Sequence, residues 1–128
     1  MKKEPVTEGE LSILEVIWEQ GSPASREIAA VLYETVSDSK MASVQKLLER
    51  LEAKGYVSRD RRERAHRFQA RVSREEFLRH RLQGLADRLC DGAIVPLVTT
   101  LLRSKKGLSR KHGEQLRQLI DELWPSDQ

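Results

Sequence analysis

The apolar positions of this chain recur with helical spacing along most of its length and give way to short extended runs in one stretch near the middle. Thr7 and Glu10 fit a capping box, with Thr7 as N-cap and Glu10 reaching back to it. The helix they open places Leu11, Leu14 and Trp18 on one face with Ile17 beside them, and Gly21 marks its end. Ser22 and Pro23 then offer a cap and a proline at the first helical position, predicting a short second helix buried through Ile28, Val31 and Leu32. Met41, Val44, Leu47, Leu48 and Leu51 draw a continuous stripe along a third helix, capped by Asp38 or Ser39 and closed by Gly55. Beyond it, Tyr56–Arg59 and Arg67–Ala70 flank a polar Arg61-Arg62-Glu63-Arg64, which reads as a β-hairpin with a basic tip.

Ser73 and Glu76 form a second capping box, opening a long helix in which Leu78, Leu82, Leu85 and Leu89 make a 4-3-4 seam. Pro96 can open a further helix carrying Leu97, Val98, Leu101 and Leu102. Ser109 begins the last, with Leu116, Leu119, Ile120 and Leu123 inward. The predicted fold is mainly α: a winged helix-turn-helix of three helices plus a hairpin over 1–72, then a helical region over 73–128. The leucine content of 73–128 exceeds what a short tail needs. It predicts a dimerisation module through Leu78, Leu82, Leu85, Leu89, Leu97, Val98, Leu101, Leu116, Leu119 and Leu123. The alternative is that these helices pack only on their own domain.

Composition narrows the class. At 128 residues, 38% hydrophobic and 34% charged, the chain has material for one modest core. No run approaches the roughly 18 apolar residues that cross a bilayer, and the polar start lacks the apolar centre of a signal peptide. Cys90 is the single cysteine, which excludes an intrachain disulfide and fits a reducing cytoplasm. The net charge of +3 hides a strong asymmetry: residues 1–38 sum to −5, residues 39–71 to +6 and residues 72–128 to +2. A concentrated basic block suits a polyanionic partner, with a merely solvated basic face as the alternative.

Three helices followed by a hairpin is the order in which the third helix enters the major groove of double-stranded DNA and the wing touches the flanking backbone. Opposite the Val44 stripe lie Ala42, Lys46, Glu49 and Ala53, with Ser43 and Arg50 on one flank and Gln45 and Glu52 on the other. The first two turns reach base edges in such helices, so Ala42, Ser43, Gln45 and Lys46 are the expected readers. Gln suits adenine, Lys suits guanine and the Ala methyl suits thymine. In the wing, Arg61, Arg62 and Arg64 are the expected phosphate contacts, because guanidinium forks match phosphate oxygens. Arg59 and Arg67 can line the hairpin body instead, and His66 reads as a packing residue.

The stretch resembles the BlaI/MecI/CopY family of penicillinase repressors. The matching pieces include Val6-Thr7, Glu10, Ile13-Leu14, Ile17-Trp18, Gly21, Arg26-Glu27-Ile28 and Ser43-Val44. They continue with Leu47-Leu48, Arg50-Leu51, Lys54-Gly55-Tyr56-Val57, Arg59, Arg64-Ala65-His66, Phe68 and Val72–Glu76. The resemblance covers about residues 6–76 in order, and it implies a homodimeric repressor on a dyad-symmetric operator, with Arg26 and Arg50 joining the DNA-binding set. It also implies, for penicillin-responsive members, an upstream membrane sensor that triggers proteolysis of the C-terminal region. Several positions depart from the family pattern. Ser39-Lys40 stand where it has Trp-Ser, Lys46 replaces a Thr and Glu63 replaces the wing-turn Gly. Thr100-Leu101 stand at its cleaved Asn-Phe, and Cys90 is alone where the copper-sensing branch pairs cysteines.

Enzymatic readings lack support: His66, His80 and His112 are scattered, and no nucleophile–base set, zinc-ligand spacing or glycine-rich phosphate loop occurs. Neither cofactor nor metal is expected. The competing class is a winged-helix protein-interaction module without sequence-specific DNA binding, which the +6 block disfavours.

Overall fold

A computed structural model describes residues 4–126 of the chain. Its elements run α1 (Glu8–Gln20), α2 (Ser25–Leu32), α3 (Asp38–Ala53), β1 (Val57–Asp60), β2 (Arg67–Ala70), α4 (Arg74–Leu89), α5 (Val95–Ser104) and α6 (Arg110–Leu123). The protein is mainly helical with one antiparallel hairpin, the architecture of a winged helix followed by a helical region. The chain divides into two compact units, one through Leu78 and the other from Arg79.

The N-terminal unit closes around Ile13, Leu14 and Ile17 of α1, Ile28 and Ala29 of α2, Val44, Leu48 and Leu51 of α3, and Val57 and Phe68 of the hairpin. The capping box at Thr7 is formed. Glu10 Oε1 accepts from the Thr7 amide at 2.9 Å, and the Thr7 hydroxyl accepts from the Glu10 amide. That same Glu10 is fully buried and pairs at 2.6 Å with Lys54, whose ammonium also donates to the Pro5 carbonyl. Burial pushes the Glu10 carboxyl up, but the hydrogen bonds from Lys54 and Thr7 outweigh it and hold the group below its ordinary value. The pair therefore ties the start of α1 to the end of α3.

At that end, Gly55 takes φ 85°, the Tyr56 amide donates to the Leu51 carbonyl and the Gly55 amide to the Glu52 carbonyl. This is a Schellman closure, and it turns the chain straight from α3 into the wing. In the hairpin, Val57 pairs with Ala70 and Asp60 with Arg67, leaving Arg61–His66 as the tip. Trp18 Nε1 donates to the Val72 carbonyl at 2.8 Å, and Phe77 packs against both Trp18 and Tyr56. The first turn of α4 thus belongs to the N-terminal core.

Several local expectations are corrected. The second helix starts at Ser25, two residues past Pro23, because Ala24 stays extended and both residues are paired with the wing: the Pro23 carbonyl accepts from the Phe68 amide, and Ala24 bridges Arg67. The cap of α3 is Ser37, ahead of Asp38 and Ser39, with its hydroxyl accepting from the Lys40 amide. Val31 lies exposed, since the α2 surface that meets the core is centred on Ile28 and Ala29. The first strand runs from Val57 to Asp60, one residue later than expected, because Tyr56 is used in the α3 closure.

The C-terminal unit is of another kind. Ser73 accepts from the Glu76 amide at the start of α4, and Ser109 caps α6 in a box completed by His112 Nδ1. From Arg79 onward the described residues include one buried apolar side chain, that of Ala86. Leu97 and Leu116 are half-buried, while Leu82, Leu85, Leu89, Val98, Leu101, Leu119 and Leu123 are exposed, as is Leu78 just before the division.

Candidate nucleic-acid interface

The outward surface of α3 follows from its inward one. Burial of Val44, Leu48 and Leu51 leaves Ala42, Ser43, Lys46, Glu49, Arg50 and Ala53 exposed on the opposite side. Among the described residues, neither Lys46 nor Arg50 is engaged in an ion pair, and Arg26 is likewise exposed in the first turn of α2. Ser43 Oγ donates back to the Ser39 carbonyl at 3.2 Å. Gln45 differs from its neighbours: it is half-buried, and its Nε2 donates to Ser25 Oγ at 3.1 Å. The amide is held by α2 and turned with its oxygen as the remaining acceptor.

The five wing arginines separate into distinct roles. Arg59 is stacked over the Phe68 ring, 4.8 Å from its centroid, with Nε 3.5 Å from Glu52. Arg67 donates to the Ser22 carbonyl at 2.9 Å and pairs with Glu27 and Glu63. Both therefore line the hairpin body. Arg61 lies 3.6 Å from the other Glu52 oxygen, so one α3 carboxylate faces two wing guanidiniums. Arg62 is bound to Asp60 through side chain and backbone together. The hydrogen bonds from the Arg62 guanidinium hold the Asp60 carboxyl down to about 2. Arg64 is exposed and has no ion pair among the described residues.

The first compact unit carries all the expected DNA-contacting residues: Arg26 on α2, Ala42, Ser43, Gln45, Lys46 and Arg50 on α3, and Arg61, Arg62 and Arg64 at the wing tip. Sequence reasoning missed the acids that organise them. Asp60 had a local signal, since an Asp two residues before Arg62 can accept its amide in an Asx turn. Glu52 had none, because its partners lie across the α3–β1 turn.

No group of His, Cys, Asp and Glu among the described residues is arranged to hold a metal ion. No described helix is long and apolar enough to cross a membrane. An open groove of about 450 Å³ lies between the end of α1 and the β2–α4 connection, lined by Ile17, Trp18, Ala70, Arg71 and Val72 among others.

Comparison with curated proteins returned no match. A family model described as penicillinase repressor matches residues 6–122, extending well past the wing and through α5 into α6. With an exposed third-helix face, a basic hairpin beside it and a family match over nearly the whole chain, the protein belongs to the penicillinase repressor family, a family of DNA-binding transcriptional repressors.

Proposed function

We propose that the protein is a homodimeric, sequence-specific repressor that binds a dyad-symmetric operator, with residues 1–72 as its DNA-binding domain and 73–128 as its dimerisation domain. The observation that carries the reading is the exposed α3 surface bearing Ala42, Ser43, Lys46 and Arg50 on a unit that also carries the Arg61/Arg62/Arg64 tip. In this reading α3 lies in the major groove, where Lys46 donates to guanine and Gln45, oriented by Ser25, presents its amide to a base edge. Arg26, Arg50 and the wing arginines neutralise phosphates and fix the register.

The dimer half of the proposal is supported by apolar exposure. Among the described residues, every exposed large apolar one except Val31 lies between Leu78 and Trp124, a density that a second copy of the same helices can cover. Two-fold symmetry in the protein then requires two-fold symmetry in the operator. Site selection from random duplexes tests both halves together with sedimentation of the full chain. The expected result is a palindromic motif bound by a dimer. A monomer at micromolar concentration, or enrichment without a motif, overturns the reading in favour of a protein-interaction module.

Relief of repression by an upstream sensor protease is the finer part of the family resemblance. The Thr100–Leu101 peptide lies inside α5, where Thr100 Oγ1 donates to the Pro96 carbonyl at 2.8 Å. A protease acting there requires α5 to unwind first. Incubating the folded dimer with a broad-specificity protease and mapping the first cut tests access. Early cleavage at Thr100–Leu101 supports the sensor route, and cleavage elsewhere counts against it.

A further inference from the structure

Arg62 of the wing tip is already held by an anion of the chain itself, the Asp60 carboxylate at the end of β1. Arg62 Nε lies 3.0 Å from both oxygens of Asp60 and its Nη2 lies 2.6 Å from Oδ2, while the Arg62 amide donates to Oδ1 at 2.9 Å. The Arg62 side chain is 87% exposed, so the carboxylate holds it against water rather than against the core. A fork that grips a carboxylate presents to it the same N–H edge that a phosphate takes. With the carboxyl of Asp60 held down to about 2, that acid stays charged at any pH near neutrality.

We propose that Asp60 is a specificity-determining residue: it occupies Arg62 in the free protein as a stand-in for phosphate, and DNA must displace it. The inference rests on the DNA-binding reading of the wing. A site that offers only phosphates gains one contact and loses one, so Arg62 adds little to non-specific affinity. An operator that seats α3 fully fixes a phosphate at the tip, and there the exchange becomes favourable. Arg64, with no acid of its own among the described residues, contributes on both kinds of DNA. The pair thereby widens the gap between operator and random sequence, the ratio on which repression in a genome depends.

The same geometry gives each substitution a sign. Asp60→Asn keeps an oxygen for the Arg62 amide but loses the charge that holds the guanidinium. Binding of the full chain to random duplex DNA is expected to tighten about two- to fivefold, the range that an exposed ion pair supports. The salt slope steepens by about one as a further phosphate is neutralised, and the operator-to-random ratio falls. Removing any acid near DNA also favours binding through space, so the decisive measurement is the double-mutant cycle with Arg62→Gln. The gain from Asp60→Asn is expected to shrink in the Arg62→Gln background to the through-space part alone. Asp60→Ser, which also accepts the Arg62 amide, repeats the test should the Asn variant fold poorly. A gain undiminished in the absence of Arg62, or no gain at all, overturns the proposal while leaving the wing a phosphate contact. If Arg64→Ala leaves random-duplex binding and its salt slope unchanged, the DNA-binding reading of the wing fails instead, and the proposal with it.

Discussion

Through Leu78 the chain wraps three helices and a hairpin around Ile13, Leu14, Ile17, Leu48, Leu51 and Phe68, and even its buried carboxylate has a cation at 2.6 Å. From Arg79 on, α5 and α6 have well-formed ends, with Pro96 in the first turn of one and a capping box on the other, yet neither contains a buried residue. Both stretches are rich in leucine and isoleucine; what differs is where those side chains go. In the first unit the apolar stripes of α1, α2 and α3 point at one another. In the second, Leu101, Leu119, Ile120 and Leu123 are open to solvent in the single chain. Local signals suffice to form a helix end, but most helical stability in water comes from burying an apolar face. The first unit draws that stability from itself, and the second buries little of its apolar surface in the single chain, which is what the proposed dimer would change.

The largest expected effect comes from breaking the second unit's supposed partner. Leu82→Glu with Leu85→Glu puts two charges on the exposed α4 seam and leaves the N-terminal core residues untouched. The double variant is expected to sediment as a monomer. Its operator affinity should fall on the order of a hundredfold or more, because the second half-site is no longer tethered. Affinity for random DNA per wing should fall far less. A variant that remains dimeric moves the interface away from this seam.

Next in size is a cavity in the self-sufficient unit. Leu48 is fully buried on α3, and Leu48→Ala is expected to cost about 2–5 kcal/mol in urea unfolding. The loss should be the same at every protein concentration. Leu123→Ala removes a side chain that is exposed in the single chain, so its cost should grow as the protein is diluted into its dissociation range. Equal, concentration-independent costs at both positions would erase the contrast between the units.

That contrast also governs what the amino-acid sequence revealed. The third-helix stripe, the capping boxes at Thr7 and Ser109's role as a helix start, and the second strand Arg67–Ala70 were legible because periodicity and capping are local. The start of α2 was not, since Pro23 and Ala24 are recruited by Phe68 and Arg67 from more than forty residues away. Glu10 read as a cap; that it is also one half of a buried ion pair depends on Lys54, placed by the far end of α3. At the interface, the outward positions Ala42, Lys46 and Arg50 followed from helical geometry alone. The engagement of Gln45 by Ser25 and of Arg61 by Glu52 did not, because each crosses between elements.

The Glu10–Lys54 pair gives a smaller effect with a defined pH sign. Glu10→Gln leaves Lys54 facing an amide and is expected to cost about 1.5–3 kcal/mol, the worth of hydrogen bonds to a charged group. The folded-state pKa of Glu10 is lowered, so its contribution is present above the unfolded-state value and is lost as the pH falls through the folded-state one. Wild type should therefore lose stability on acidification more steeply than Glu10→Gln, with the two curves converging below that range. Parallel curves across the acid range would show that the pair contributes nothing pH-dependent to the first unit.

The smallest effect concerns base preference, which on this comparison belongs wholly to the first unit. Lys46 is exposed on α3 and engages no acid among the described residues, so its ammonium is free to approach a base edge. A contact to guanine O6 or N7 discriminates by about 1–3 kcal/mol. A phosphate contact by the same flexible side chain adds affinity on every sequence alike. Site selection with the full-length chain separates them, because in the proposed dimer the two half-sites report the same residue twice. Under base reading, Lys46→Thr changes the preferred base at one symmetric pair of positions and leaves the spacing between half-sites intact, since in the proposed dimer spacing is set by the other unit. An unchanged motif with uniformly weaker binding and a shallower salt slope would assign Lys46 to the backbone and leave direct readout to Ala42, Ser43 and Gln45.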